Sequence, residues 1–524
     1  MPHPVLINGE WVASAGTQTF QAVNPATEQT LPGKFPVSPW SDLDKAIAAA
    51  VEAAKQMRGW PGYRVAKFLD EYASEIETRT SALVEAAHEE TGLPKSPRLQ
   101  NGELPRTTNQ LRQAAEAARS NSWRVPTIDT AAGIRSMLGP IGPVVVFGPN
   151  NFPFAFNGIS GGDFAAAIAA GNPVIAKGHS SHPETTRIFA EAALAASQKH
   201  NMPPGLVQLI YRTGHEDGYK LVSDPRIAAS GYTGARHTGL KLKAAADQAG
   251  KPFYAELSSI NPVFILAGAL NERADAIADD FSGSCLMGAG QFCTNPGLVI
   301  LPAGSAGDAF VGLIAARFES AAPGTMLNEG VRQSFAAGIK ALQDAGARLV
   351  TGGQPGGGTG VSFRNTLLTV RGSQFLEHPA AFQTEAFGNG SLFVLADNPQ
   401  QMLAIAESLE GNLTGCLYTS NDGSDDEIYS LIEPALRTKV GRILNDKMPT
   451  GVAVSPAMNH GGPFPATAHP NFTAVGIPAS IARFSALYCY DNVRPDRLPE
   501  VLKDRNPGDV WRCIDGEWTT RNVS

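Results

Sequence analysis

From residue 139 onward the chain repeats one alternation, a short β-branched run followed by an Ala-rich stretch of helical spacing. GPVVVFGP, NPVIAK, LVQLIY and IAASGYTG are successive runs of this kind. Strands that alternate with helices predict a parallel sheet of βαβ units, so the expected fold class is α/β. A second α/β region begins near Tyr254 and contains NPVFILA, GLVILPA, RLVTGG and SLFVLA.

The flanks read differently. Residues 5 to 31 alternate apolar and polar positions between turn signals, which favours short strands. From Asp42 to about Ala118 apolar residues recur at helical spacing, with Ser41 placed to cap the first helix. The last stretch, DVWRCIDGEWTT, is strand-like and amphipathic and could pair with another chain. GGQPGGGTGV at 352 to 361 reads as a flexible loop, and no internal repeat is visible.

A chain of 524 residues can build two or three domains with substantial cores. Its net charge of −7 lacks the positive field that nucleic-acid binding needs. No run of about 18 apolar residues suggests a membrane span, and the N-terminus does not read as a secretory signal. The five cysteines (Cys285, Cys293, Cys416, Cys489, Cys513) have neither metal-ligand spacing nor a compact disulfide pattern, so no metal and a reducing cytoplasm are expected.

Five short motifs carry chemistry. GQFCTNPG holds Cys293 among turn-forming residues, in a loop whose backbone N–H groups can acidify a nucleophilic thiol, although a free cysteine is also a common buried hydrophobe. YAELSSINP places Glu256 between apolar residues, a desolvated setting suited to a general base, or else a turn cap. FGPNNFPFAF follows the strand GPVVVF, where ligands bind in doubly wound sheets, and its Asn151 amide can donate to an oxyanion. NPVIAKGHSSHPET sets Lys177 at a strand end within reach of a ribose or phosphate. In GYTGARHTG, Gly234 and Gly239 flank a candidate helix N-terminus that favours phosphate.

Taken together and in this order, from INGEW…NPATE to the AFGN segment at 386 to 389, these motifs resemble the aldehyde dehydrogenase superfamily over nearly the whole chain. The resemblance implies an enzyme with a Rossmann-type cofactor domain, an α/β catalytic domain and a small β oligomerisation element. It places the cofactor domain at 1–124 and 139–254, the catalytic domain at 255–480 and the oligomerisation element at 125–138 and 481–524. It implies Cys293 as nucleophile, Glu256 as base and Asn151, with the Cys293 N–H, as oxyanion hole. Lys177 would hold the adenosine ribose, Gly234 and Gly239 the helix start beneath the pyrophosphate, and Glu385 with Phe387 the nicotinamide ribose. The implied reaction runs from thiohemiacetal to thioester, which water activated by Glu256 then releases as an acid.

Three departures from the family's pattern stand out. Ser258 and Ser259 replace two glycines after Glu256, Ala235 replaces a small hydroxyl residue in the phosphate turn, and the Glu256-to-Cys293 interval of 37 is a few residues long. Relatives that prefer NAD often carry an acid three positions after the lysine; here that residue is Ser180. The open position is compatible with a 2′-phosphate, so NADP is expected to serve at least as well as NAD.

The spelling of these motifs, with a late HGGPFPAT, resembles the α-ketoglutaric semialdehyde (2,5-dioxopentanoate) dehydrogenase branch, with a fatty or medium-chain aldehyde branch as the alternative. By family analogy the helix after the N-F-P triplet lines the aldehyde tunnel, with Phe152, Phe156 and Ile159 on one wall and Pro463 to Pro465, including Phe464, at the mouth. A substrate carboxylate calls for a guanidinium. Arg106 and Arg112 lie six apart and so face different ways, with Arg106 favoured to point inward. A CoA-acylating enzyme and a non-catalytic binding protein are the remaining readings; the retained Glu256 favours hydrolysis over the first, and the joint presence of nucleophile, base, amide and cofactor residues speaks against the second. The expected partners are a small aldehyde and further copies of the chain, as a homodimer or homotetramer.

Overall fold

The computed structural model describes residues 1–523. The first run of βαβ units forms one sheet whose parallel strands stand in the order Phe253–Glu256, Ala229–Thr233, Val144–Phe147, Val174–Lys177, Val207–Ile210. Chain order reverses on the two sides of Val144–Phe147, which opens a crevice at the carboxyl ends of these strands, as in Rossmann-type sheets. Two N-terminal strands, Val5–Ile7 and Glu10–Val12, extend the sheet in antiparallel fashion. They are joined by Asn8 and Gly9, both at positive φ, a tight turn for which Asn-Gly is suited.

Helices Trp40–Gln56, Gly62–Thr78, Thr80–Thr91 and Leu104–Ser120 belong to this layer, and their apolar faces share one core with the sheet. The first helix starts at Trp40, and its N-cap Pro39 offers no side-chain hydrogen bond, so Ser41 lies inside the helix and does not cap it. The neighbouring Asp42 is buried and accepts from Ser14 Oγ (2.5 Å) and Ala15 N (3.2 Å), which ties the entering chain down instead.

The second α/β region forms a sheet in the order Arg348–Thr351, Thr366–Arg371, Gly390–Ala396, Leu298–Pro302, Val263–Ile265, Asn412–Tyr418, Val440–Asn445, all parallel but for the first strand. Apolar clusters cover both faces, consistent with the continuous hydrophobic runs of such strands. The 352–361 loop is anchored, not free: Val361 N donates to Pro25 O (2.8 Å), and Gly353 N to Thr366 Oγ1 (3.0 Å).

A five-stranded sheet runs Ser485–Asp491, Ile134–Pro140, Thr127–Asp129, Arg512–Ile514, Glu517–Thr519. The final strands pair within the chain, Cys513 beside Thr127, although their pattern also allowed pairing with another chain. Two boundaries also differ from the expected division. The strand ending at Glu256 completes the first sheet, and Phe472, Ala474, Val475, Ile481 and Phe484 pack into the first core.

The segment after Val144–Phe147 is a run of turns, and a helix begins only at Gly162. Buried Glu103 shapes it. One carboxylate oxygen accepts from Phe154 N (2.8 Å) and Ala155 N (2.9 Å), and the other pairs with Arg98. Removing this carboxylate strands a guanidinium and two N–H groups, so Glu103→Ala is expected to cost about 3–5 kcal/mol. A urea unfolding curve checks this, and a loss under about 1 kcal/mol would contradict the role given to Glu103.

Candidate active site

Glu256 and Cys293 reach the same point from different directions. Glu256 ends the edge strand of the first sheet and is 3% exposed. Cys293 sits in the turn between helix Ala267–Leu286 and strand Leu298–Pro302, at the centre of the second sheet. Asn261 holds that turn: its Nδ2 donates to Cys293 O and to Asn295 O, each at 2.9 Å. The Asn261 Oδ1 accepts in turn from Thr414 Oγ1 (2.9 Å) and Ser259 Oγ (2.8 Å).

The two serines after Glu256 now have physical reasons. Ser259 accepts from Leu413 N (2.9 Å), linking the connector to the second sheet. Ser258 donates to Glu385. Glycines could do neither.

Asn151 is buried, and its Nδ2 donates to Gln291 O (3.0 Å), two residues before Cys293. An amide carries two hydrogens, so this bond fixes its orientation and leaves one donor over. The thiol is not acidified by its loop as expected. Burial first, then the Glu256 carboxylate, holds Cys293 well above the ordinary thiol range, with Arg106 acting the other way.

A residue given no role from sequence completes the cluster. His460 Nε2 is 3.4 Å from Cys293 Sγ and 3.2 Å from Glu256 Oε2, and its side chain is 1% exposed. Its signal was the HGGPFPAT spelling alone.

Aromatic rings stand beside this cluster. Phe152 meets Phe156 (5.2 Å) and Phe292 (5.3 Å), and Phe156 meets the His460 ring (5.7 Å). Arg106 lies over Phe156 at 5.1 Å, and its Nε and Nη2 are enclosed without a hydrogen-bond partner. Burial lowers its pKa, with Glu103, Cys293 and Glu256 among the charges that oppose the shift. Arg112 instead points outward and grips Glu77 with both nitrogens (2.6 and 2.8 Å).

One expected wall residue stands elsewhere. Ile159 is fully buried in the first core, and its carbonyl accepts from Tyr72 Oη (2.9 Å), because the expected lining helix is a turn segment. Phe464 is exposed, and Arg236 lies over its ring at 5.3 Å, which places it at the start of helix Arg236–Gln248.

That helix start is the expected pyrophosphate site. Gly234 and Gly239 flank it, and the N-cap Ala235 offers no side-chain bond, so the first N–H groups keep no protein cap. A Cβ at Gly239 would stand 2.4 Å from Leu257 Cδ2, so this glycine serves the packing of helix on strand. Lys177 ends its strand with no hydrogen-bond or ion-pair partner among the described residues. Burial and the neighbouring Arg212 push its pKa down to about 8. Two adjacent cations call for an anion, and Ser180 stands in the loop after Lys177, partly exposed. On the catalytic side, Glu385 and Phe387 line one cavity with Ser259 and Phe292. Burial raises Glu385 to about 7, partly offset by hydrogen bonds from Ser258 and Ser259.

The profile of the Aldehyde dehydrogenase family matches residues 11–455. Alpha-ketoglutaric semialdehyde dehydrogenase 2 of Azospirillum brasilense is 40% identical, with 98% of each chain covered. Alpha-ketoglutaric semialdehyde dehydrogenase of Acinetobacter baylyi is 38% identical, again with 98% of each covered. Among solved structures, lactaldehyde dehydrogenase from Escherichia coli superposes with a TM-score of 0.79 at 22% identity, covering 94% of this chain and 99% of that one. An aldehyde dehydrogenase from Pseudomonas syringae, solved with NAD+ and octanal, gives 0.79 at 22% identity over 95% and 98%. The chain belongs to the aldehyde dehydrogenase family and is an NAD(P)-dependent aldehyde-oxidising enzyme.

Proposed function

We propose that this enzyme oxidises 2,5-dioxopentanoate to 2-oxoglutarate through a thioester on Cys293, using NADP at least as well as NAD. The observation that carries the substrate is Arg106, a guanidinium with two enclosed, unpartnered nitrogens beside the aromatic rings that flank the Cys293 cluster. A buried cation without a partner is costly, and the far carboxylate of a semialdehyde acid supplies one. The Phe152, Phe156 and Phe292 cluster would suit an alkyl chain equally well, but an alkyl tail would leave Arg106 unpaired. The names of the two bacterial relatives point the same way.

In this reading Cys293 attacks the aldehyde carbon, and the remaining Asn151 hydrogen with the Cys293 N–H receives the oxyanion. A bound nicotinamide cofactor would supply the hydride acceptor. Glu256, whose carboxylate is buried between the two sheets, takes a proton from the water that hydrolyses the thioester. Lys177, Ser180 and Arg212 hold the adenosine end, the uncapped helix start the pyrophosphate, and Glu385 with Phe387 the nicotinamide ribose. Ser180 carries no charge to repel a 2′-phosphate, and the Lys177–Arg212 pair attracts one.

The five-stranded sheet serves assembly, as a homodimer or homotetramer. Its outer strand, Ser485–Asp491, is paired on one side only within the chain. Leu487 (67% exposed) and Trp518 (54%) lie bare on this sheet, more apolar surface than a solvated face calls for.

Steady-state assays with 2,5-dioxopentanoate, succinic semialdehyde and a medium-chain aldehyde should rank the dioxo acid first in kcat/KM. Arg106→Ala should raise its KM about 10–100-fold, the loss of a charge-assisted contact of about 1.5–3 kcal/mol, and Arg112→Ala should leave it unchanged. Preference for the alkyl aldehyde, unaffected by Arg106→Ala, would overturn the substrate. Ser180→Glu should raise the KM for NADP at least about tenfold against that for NAD, since it sets a carboxylate against a phosphate; equal effects on both would refute the cofactor reading. Light scattering should show a dimer or larger assembly that Leu487→Asp weakens, and a monomeric parent would contradict the role of the sheet.

A further inference from the structure

Cys293, Glu256 and His460 come from three distant parts of the chain, yet their reactive atoms all lie within 4.8 Å of one another. His460 Nε2 is in reach of both other groups, 3.4 Å from the thiol and 3.2 Å from the carboxylate. The backbone is shaped to hold it there. His460 N donates to Thr473 Oγ1 (3.0 Å), and Ala474 N donates to His460 O (2.9 Å). A Cβ at Gly461 would stand 2.0 Å from Phe472 O, and one at Gly462 2.1 Å from Asn412 O, so the two glycines after His460 let its loop press against both neighbours. The Phe156 ring packs against the imidazole.

We propose that His460 is a catalytic base that forms the Cys293 thiolate, leaving Glu256 to the hydrolytic step. This rests on Cys293 as nucleophile and is independent of which aldehyde is used. The Cys293 S–H bond breaks, and an Nε2–H bond forms on His460. The thiolate then attacks the aldehyde carbon, and the family's hydride transfer leaves the thioester. Water adds as Glu256 takes its proton, the C–S bond breaks, and Nε2–H returns its proton to sulfur. The proton on Glu256 leaves to solvent, so each turn of the cycle releases one proton and restores every group.

Burial and Glu256, itself in hydrogen-bond reach of the thiol, hold Cys293 protonated, and His460 Nε2 at 3.4 Å offers a second acceptor beside that carboxylate. The charges around it are Glu256 on its strand, Arg106 on helix Leu104–Ser120, Glu385 in its loop and Arg442 on strand Val440–Asn445. A proton moved to Nε2 would lie close to both the thiolate and the Glu256 carboxylate, an arrangement that favours transfer.

The test is the pH profile of iodoacetamide alkylation of Cys293 in the full-length protein, read by peptide mass spectrometry. The parent should show a reactive limb extending below the alkaline range of an ordinary thiol. His460→Gln should lose that limb and react at least about tenfold more slowly at neutral pH, with NADP binding by fluorescence unchanged. Glu256→Gln should keep it. A His460→Gln profile that superimposes on the parent's, or a limb lost only in Glu256→Gln, would overturn the proposal. If His460→Gln does not fold, the parent decides: a single alkaline inflection refutes it. Alkylation of Cys293 without loss of turnover would instead sink Cys293 as nucleophile.

Discussion

The seam between the two large sheets is the constraint on which the site depends. Glu256 is the last residue of one sheet and Val263 the first of a central strand in the other, so a short connector must cross from sheet to sheet. Its buried polar groups are satisfied by side chains that also hold the site. Asn412 Oδ1 accepts from Ile260 N (2.9 Å) and Asn261 N (3.2 Å), and Asn261, at positive φ, carries the Cys293 turn on its amide. In a low-dielectric interior such a network is rigid only when every member is paired. The same bonds that close the seam therefore fix the distance between carboxylate and thiol.

Against this paired seam, the groups that face the reaction are left unpaired or strained in charge. Arg106 has enclosed nitrogens without partners, Lys177 faces Arg212, and Glu385 lies near Glu256. Each arrangement costs folding stability, and each is relieved by a ligand of opposite charge or by a proton. A substrate carboxylate and a cofactor phosphate would so be recognised by charges the protein has already desolvated, which reduces the reorganisation left for binding.

The architecture was legible because it follows local patterns. Runs such as GPVVVFGP and GLVILPA are strands, and the helices between 40 and 120 bury the faces their spacing marks. Strands such as Asn412–Tyr418, with its polar residues and central glycine, lacked that signature because their neighbours pair those groups. Within the site, the order of motifs pointed to Cys293, Glu256 and Asn151, and the structure brings them to one place. What did not show were relations across long separations. His460 lies 167 residues from Cys293 in sequence, and no local pattern reports such a contact. Ile159 was misplaced because backbone turns, held by Glu103 and by Tyr72, replace an expected helix. The serines after Glu256 looked like defects until Asn261 and Glu385 supplied their partners.

The central claim is that oxidation and hydrolysis are separate steps joined by an acyl group on Cys293. Rapid quench of Glu256→Gln enzyme with aldehyde and NADP, followed by peptide mass spectrometry, tests it directly. The account predicts one equivalent of reduced cofactor per site and a mass increase of one acyl group on the peptide carrying Cys293, persisting because the water is not activated. Full turnover by this variant, or reduced cofactor with no covalent adduct on Cys293, would contradict it.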